Sequence, residues 1–338
     1  MALFYHGSVR FGTIIFSVNS YWCIMPDTLG ENDMNDNGVC IVTGAFGYTG
    51  RHITRRLLDR GYRVRTLTSR RRSDEEFGGR VDVYPFNFDA PDELVQSMQG
   101  ADMLFNTYWI RFERGGMTFE KAVKNSLALI SAAEQAGVRR IVHISIANPS
   151  IDSPFPYYSG KARVEKAILE SRLSYAIVRP CVIFGDKGIL INNIAWFLRH
   201  TPVFGVPGSG KYGISPVFVE DVADLAVDLA RKDENIVLDA VGPETFEFND
   251  LLLTMKKTLQ SRTLIMHLPP AAAIFAAGII GKLLGDVILT KDEVGELMSG
   301  LLVSSSPPTC AMRLSDWMDA NKDWLGKSYM SEIGSRRR

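Results

Sequence analysis

The chain has 338 residues, 46% of them hydrophobic, enough to bury one large α/β domain or a domain with a smaller lobe. Lys and Arg number 38, as do Asp and Glu, so no net charge attracts nucleic acid. The four cysteines are Cys23, Cys40, Cys181 and Cys310. Because they are far apart and form no C-x-x-C pair, they predict neither a metal site nor a disulfide framework, and favour the cytoplasm.

Residues 1–37 differ from the rest of the chain. Their apolar segment, residues 11–25, is interrupted by polar residues, is short for a membrane span and lacks an Ala-x-Ala cleavage site. We expect a poorly ordered extension, or an upstream start codon assigned in error, since Met34 lies just before the first strand. A signal-anchor is the alternative.

Residues 39–72 have the pattern of a strand, a turn, a helix and a second strand. The turn contains glycines in a G-x-x-G-x-x-G spacing: Gly44, Gly47 and Gly50. Such glycines allow a tight turn, a close approach of backbone N–H groups to a pyrophosphate, and close packing of helix on strand. In this context the motif predicts dinucleotide binding by the glycines and by Phe46 and Tyr48 between them.

Strands and helices continue to alternate after the turn. Strands are predicted at residues 81–86, 101–107 and 140–145, and helices at residues 91–99 and 118–136. This alternation predicts right-handed crossovers and a doubly wound parallel sheet, an α/β Rossmann fold. Ligands bind beyond the carboxyl ends of such strands, where Asp89, Asn106 and Ser145 are expected.

The corner after the second strand bears on the choice of cofactor. An NAD site usually has an acidic residue there, which binds the ribose 2′-hydroxyl. This chain has Arg70, Arg71 and Arg72. A guanidinium can hold a 2′-phosphate through two hydrogen bonds. We therefore predict that NADP is preferred to NAD, with Arg70 at the phosphate; a solvated arginine loop is the alternative.

Tyr157 and Lys161 are four residues apart at the start of a helical pattern, so they share one helix face. A phenol titrates near pH ~10, too high for proton transfer at neutral pH. A nearby ammonium and a positive nicotinamide ring would lower its pKa. The pair predicts an acid–base site; the alternative is that Tyr157 and Tyr158 are packing or surface aromatics.

Together these motifs resemble the short-chain dehydrogenase/reductase superfamily. The resemblance rests on TGAFGYTG at residues 43–50, Asp89, Asn125, Tyr157/Lys161 and RPCVIFG at residues 179–185. The later segments are similar to the extended and atypical branches, namely the NAD-dependent epimerase/dehydratase and NmrA-like groups, and to Rossmann-type accessory subunits of respiratory complex I. The resemblance covers residues 38–249.

The resemblance implies roles for individual residues. Phe88 and Asp89 would flank the adenine, and Asn125 would support a proton-relay water beside Lys161. Lys161 would also bind the nicotinamide ribose. The residues expected to pack near the nicotinamide are Pro180 and Val182.

Two positions depart from the family pattern. The usual serine pair after the fifth strand is Ser145-Ile146 here, so an isoleucine stands where a serine would polarise the substrate oxygen. Ser145 or Asn148 could donate instead. Gly160 replaces the common serine before the lysine. These changes leave cofactor binding intact and put the redox chemistry in question, because atypical members can bind a dinucleotide without turning over.

Residues 186–330 are expected to form a smaller α/β substrate lobe, interleaved with the sheet of a dinucleotide-binding domain at residues 38–185. A strand is predicted at 216–219 and a helix at 222–230, capped by Glu220-Asp221. Four residues are either cleft-lining or ordinary packing residues: Asn192, Asn193, Trp196 and Tyr212.

Residues 269–284 are strongly apolar but too few to span a bilayer. We expect a buried or lid helix. Docking of this helix onto a membrane surface, to meet a lipophilic substrate, is the alternative.

These observations favour an NAD(P)-dependent oxidoreductase that acts on a small carbonyl, alcohol or enone. Tyr157 would be the acid–base group and Lys161 its activator, with Ser145 and Asn125 in support and no metal. A sugar-nucleotide epimerase or dehydratase is the second hypothesis. The third is a sensor or assembly protein that binds dinucleotide without chemistry.

Overall fold

The computed structural model describes residues 38–69 and 76–337, so the N-terminal extension and Arg70 lie outside the described residues. Strands and helices alternate along the first half of the chain. In chain order these are β1 (Val39–Thr43), α1 (Tyr48–Asp59), β2 (Arg63–Leu67), β3 (Val81–Tyr84), α2 (Pro91–Met98), β4 (Met103–Asn106), α3 (Phe119–Gln135), β5 (Arg140–Ile144), α4 (Pro156–Glu170), β6 (Ser174–Pro180) and β7 (Val182–Phe184).

The second half of the chain has shorter strands and more helix. Its elements are α5 (Ile189–His200), β8 (Val203–Pro207), β9 (Gly213–Ile214), β10 (Pro216–Phe218), α6 (Val219–Ala230), β11 (Ile236–Ala240), β12 (Phe246–Glu247), α7 (Phe248–Leu259), β13 (Leu264–Leu268), α8 (Pro270–Leu284), α9 (Lys291–Met298), α10 (Leu314–Asn321) and α11 (Glu332–Arg337).

The central sheet has seven strands in the order β11-β6-β5-β4-β1-β2-β3. Each neighbouring pair in this sheet is parallel. This order confirms the predicted doubly wound α/β Rossmann fold. Strand β11 comes from the C-terminal third, so the second half of the chain contributes to the sheet as well as to its own lobe.

Both faces of the sheet are buried because helices pack on each of them, and alternate residues of each strand point to opposite faces. One face packs against α1 and α6, through residues such as Val42, Phe105, Ile53 and Val222. The other packs against α2, α3 and α4, through residues such as Ile41, Leu104, Leu129 and Val164. The carboxyl ends of β1, β4 and β5 therefore meet between the two helical layers.

The turn between β1 and α1 has no room for a side chain at Gly47 or Gly50. Gly44 has φ +71°, and the Gly47 amide donates to the Gly44 carbonyl at 2.7 Å. A Cβ on Gly50 would lie 2.2 Å from the same carbonyl oxygen. Glycine at these positions lets α1 start directly above the end of β1.

The C-terminal lobe has a core of its own, with Phe184, Leu198, Val206, Leu252 and Met318 among its buried residues. Helix α6 begins at Val219, so the predicted cap residues Glu220 and Asp221 lie within its first turn. The acids bind other elements: Asp221 accepts the amides of Ala311 and Met312 at 2.9 Å.

Asn192 and Asn193 hold the C-terminal segment in place. The Asn193 amide exchanges two 2.9 Å hydrogen bonds with the backbone of Met330. The Asn192 amide bonds the Ser328 carbonyl and the Gly326 N–H. Of the two alternatives for Asn192 and Asn193, cleft-lining or packing residues, these contacts favour packing.

Helix α8 is largely exposed, so of the expected buried or lid helix the buried form is wrong and the lid stays a prediction. Phe275, Ile279 and Leu283 recur every four residues and are 72%, 49% and 82% exposed. In the described part of the chain no helix is long and apolar enough to cross a membrane. Docking of α8 onto a membrane surface stays a prediction.

We expect Gly50→Ala to destabilise the fold, because its Cβ would overlap a backbone oxygen that cannot move away without shifting α1. The overpacking should cost at least about 1–3 kcal/mol. Gly278→Ala is the matched control, since a Cβ there meets nothing within 4 Å. Chemical denaturation measures both; equal stabilities would contradict the tight turn.

Candidate dinucleotide-binding and catalytic site

The N-terminus of α1 is open to an anion. Its N-cap, Gly47, has no side chain to cap the helix, and the first turn contains no acidic residue. The first N–H groups and the positive end of the helix dipole therefore face the turn. This is the arrangement that binds a pyrophosphate.

The side chains around the turn have distinct positions. Phe46 packs on Phe77, with ring centroids 6.1 Å apart. The Tyr48 hydroxyl is buried near the loop after β7, where a Cβ on Gly188 would lie 2.7 Å from it. Arg51 folds back over the turn and donates to the carbonyls of Phe46 and Gly47 at 3.2 and 3.3 Å. This guanidinium, one turn into the helix, was missed by the sequence reasoning.

A cavity of about 160 Å³ lies where α1 meets the ends of β4, β5 and β6. It brings the first turn of α1 together with the predicted acid–base pair. Its lining residues are Thr49, Thr107, Trp109, Ile144, Ser145, Ile146, Tyr157, Lys161, Pro180, Cys181 and Ile183. The glycine turn and the Tyr157/Lys161 pair, far apart in sequence, thus converge on one site.

Lys161 lies almost fully buried in this site, with 3% of its surface exposed. Its Nζ donates to the Ile144 carbonyl at 2.7 Å and lies 4.9 Å from the centroid of the Trp109 ring. Desolvation lowers the pKa of Lys161 to about 7, although Glu165 opposes the shift. The amine can therefore gain or lose its proton near neutral pH.

The pKa of Tyr157 is raised, whereas the sequence analysis predicted that it would be lowered. Burial is the main cause that raises its pKa, and the carboxylates of Glu296 and Glu293 raise it further, against Arg111. The predicted lowering by a neighbouring ammonium is therefore corrected: without a bound cation the phenol is neutral. A neutral phenol is a proton donor. Its ring contacts Trp109 edge-on, with centroids 5.9 Å apart.

Two polar atoms beside the cavity lack partners within the described residues. They are Ser145 Oγ and Trp109 Nε1, both buried. Buried polar atoms are normally satisfied, so an unpaired pair at one cavity fits a site that takes a polar ligand. Asn148 is excluded as the substitute donor, because its Nδ2 already donates to the carbonyls of Leu301 and Val303 at 3.0 and 2.6 Å.

Four other predicted site residues lie outside the cavity wall. Asn125 donates to the Tyr108 hydroxyl at 2.8 Å, and Asn106 bridges Thr43 and His143. Phe88 stacks on Phe86, with centroids 4.8 Å apart, and Asp89 is exposed in the turn before α2.

Of the two residues predicted to pack near the nicotinamide, Pro180 at the end of β6 lines the cavity and Val182 at the start of β7 does not. Val182 is buried in the core of the C-terminal lobe. Its neighbours Cys181 and Ile183 line the cavity, because alternate residues of an extended chain face opposite sides. A period of two groups Cys181 with Ile183 but not with Pro180, which also lines the cavity, so the sequence pattern alone does not select this set.

His52 of α1 contacts acidic side chains of α6 and of the loop after β7. It lies 2.8 Å from Glu220 and 3.2 Å from Asp186, and the hydrogen bond from His52 lowers the pKa of Asp186. Arg56 pairs with the other oxygen of Glu220. We interpret these contacts as structural: they join α1 to α6 and to the loop after β7.

Comparisons with known proteins agree with this geometry. The chain is 28% identical to the mitochondrial NADH dehydrogenase [ubiquinone] 1 alpha subcomplex subunit 9 of Arabidopsis thaliana, over 79% of this chain and 71% of that protein. It is 25% identical to a ceramide reductase of Caulobacter vibrioides, over 72% of this chain and 77% of that protein.

The NADPH-dependent quinone oxidoreductase QOR2 of Escherichia coli, solved with NADPH, has the same fold, with a TM-score of 0.67 and 18% identity over 83% of this chain and 99% of QOR2. A family model described as NAD(P)H-binding matches residues 44–233. This match covers more than half of the 338 residues. The chain therefore belongs to the NAD(P)H-binding family.

Proposed function

We propose that this protein is an NAD(P)H-dependent oxidoreductase that reduces a small carbonyl or enone compound. The observation that carries the proposal is the single cavity that unites the first turn of α1 with Tyr157, Lys161 and Ser145. A dinucleotide with its pyrophosphate on the open helix N-terminus would point its nicotinamide toward this cavity.

The chain's own residues can manage the proton of such a reaction. Bound NAD(P)H would supply the hydride. The neutral Tyr157 hydroxyl would donate its proton to the reduced oxygen, and Lys161, which titrates near pH 7, would stabilise the phenolate left behind. Ser145 Oγ, which has no partner in the described structure, would donate a hydrogen bond to the same oxygen.

A second candidate is a subunit that keeps a dinucleotide for structural or sensory purposes. The similarity to subunit 9 of an NADH dehydrogenase favours it, and would give the protein a protein partner. Sugar-nucleotide epimerisation stays an alternative predicted from the sequence. The cytoplasmic location stays a prediction.

Adjacent tyrosines offer a matched test of catalysis. We expect Tyr157→Phe to lower kcat by about 10²–10⁴-fold without weakening NADPH binding, because only the transferable proton is removed. Tyr158→Phe is the control: its hydroxyl is buried without a hydrogen-bond partner in the described structure and lies outside the cavity wall. Steady-state kinetics and fluorescence titration measure the two effects.

Equal turnover by wild type and Tyr157→Phe would exclude this mechanism. Tight NADPH binding with no turnover by either protein would favour the second candidate.

The arginine corner can be tested by titrating the protein with NADPH and NADH in parallel. If Arg70 holds the 2′-phosphate, Arg70→Ala should weaken NADPH binding by about tenfold or more, the value of one charged hydrogen bond of ~1.5–3 kcal/mol. NADH affinity should not change, because NADH has a hydroxyl at that position. Equal affinities of the wild type for both nucleotides would make the corner a solvated loop.

The buried Lys161 predicts a pH-dependent contribution to stability. Its pKa is about 7 in the fold and near ~10.4 in the unfolded chain. Between these values the unfolded state binds more protons, so stability from this group rises with pH. The free energy of unfolding of Lys161→Met should therefore exceed that of the wild type most near about pH 6, and this difference should disappear near about pH 10.

Urea unfolding at both pH values measures this difference. Lys166→Met is the control, since Lys166 is exposed on the same helix and, among the residues the structure describes, forms its ion pair with Glu170, at 3.8 Å. An advantage of Lys161→Met that is the same at both pH values would contradict a lowered pKa.

A further inference from the structure

Trp109 lies on the connection between β4 and α3, which is fixed at both ends. The amides of Thr107 and Tyr108 donate to Thr43 Oγ1 at 2.8 and 3.0 Å, where β1 ends. Further along, Arg111 Nε donates to Glu293 Oε1 of α9 at 2.6 Å. The indole is thereby held over the cavity by elements on two sides.

The indole contacts both members of the acid–base pair. Lys161 Nζ lies 4.9 Å from its centroid, and the Tyr157 ring meets it edge-on at 5.9 Å and 84°. Phe119 packs against both aromatic rings, at 6.3 Å from Trp109 and 5.9 Å from Tyr157. Trp109 is therefore part of the wall that a substrate must pass or touch to reach Tyr157.

Gly160 has the structure it needs to accommodate this indole. A Cβ on Gly160 would lie 3.0 Å from Trp109 Cη2 and 3.2 Å from Trp109 Cζ2. Any larger residue would press on the ring, so the glycine that departs from the family's usual serine is explained by the tryptophan above it. The two residues form one steric unit.

Charge limits the ligand as much as volume does. The cavity wall contains Lys161 as its only ionisable cation and no carboxylate, among the residues described. A buried lysine that titrates near pH 7 is a weak counter-ion for a permanently charged phosphate. The wall suits an uncharged compound.

We infer that Trp109 determines the specificity of this site, which admits small uncharged carbonyl compounds and rejects bulky ones. The inference rests on the proposed function for the identity of the reacting group. Trp109 acts by narrowing the cavity over Tyr157 and Lys161, and the absence of a side chain on Gly160 leaves room for the indole in that position.

Cyclohexanone and 4-tert-butylcyclohexanone test the inference, because they share a reacting group and differ in bulk. With NADPH as donor, the wild-type kcat/KM should favour cyclohexanone by about tenfold or more. Trp109→Ala should lower that ratio by about tenfold, and Gly160→Ala should lower it less, by displacing the ring. Gly278→Ala, whose Cβ meets nothing, should keep the wild-type ratio.

A binding measurement separates this inference from the proposed function. In ¹⁵N-labelled protein saturated with NADPH, the Trp109 indole N–H resonance is the one missing from Trp109→Phe. Cyclohexanone should shift it and 4-tert-butylcyclohexanone should not. A shift without turnover would sustain the inference while the proposed function fails. An unmoved resonance with cyclohexanone, or an unchanged kcat/KM ratio in Trp109→Ala, would overturn it.

Discussion

The close approach of α1 to the end of β1 is the constraint on which the site depends. The carbonyl oxygen of Gly44 accepts the Gly47 amide and lies where a side chain on Gly50 would have to be. Because no Cβ separates them, the helix begins directly above the strand and its uncapped amides face the carboxyl edge of the sheet. Thr49, in the first turn, reaches the same cavity as Tyr157 and Lys161 only because of this approach.

The second organising feature is the removal of water from Lys161. The amine is covered by Trp109 and donates a hydrogen bond to the Ile144 carbonyl. The carboxylate of Glu165 raises the pKa of Lys161 and so opposes the effect of burial. Tyr157 is also kept neutral, by burial and by the acids of α9. Tyr157 is thus neutral, and Lys161 can lose its proton easily. A positive charge that enters the site would lower the pKa values of both residues.

The fold could be predicted from the sequence because it rests on local patterns. Apolar runs such as Cys40–Val42 and the helical period of residues 119–135 place the strands and helices within a few residues of their observed ends. The rule that ligands bind beyond the carboxyl ends of parallel strands predicted Ser145 at the site. Tyr157 and Lys161 were predicted from their spacing on one helix and from the family resemblance.

What the sequence could not provide are contacts between distant segments. The ring of Trp109 packs against Gly160 of α4. Trp109 lies on the connection between β4 and α3, and no local sequence pattern predicts the path of that connection. Burial raises the pKa of Tyr157, and the carboxylates of Glu296 and Glu293 on α9, more than a hundred residues away in the chain, raise it further. Asn193 is a polar residue of the kind that lines clefts. In the structure, however, its side-chain amide donates to the Met330 carbonyl and accepts the Met330 N–H. Such pairings are fixed by tertiary packing alone.

The position of β11 at the edge of the sheet has a consequence for the order in which the protein acquires its structure. Strand β11 pairs with β6, but the ribosome makes β7, α5, β8 to β10 and α6 between them. A nascent chain can therefore assemble β1 to β6 while β6 still exposes an unpaired edge, which invites pairing with other chains. Helix α6, which packs on α1 and on this half of the sheet, is synthesised before β11. The C-terminal lobe thus completes the nucleotide-binding sheet late in synthesis, and a chain that stops short of β11 would leave that edge open.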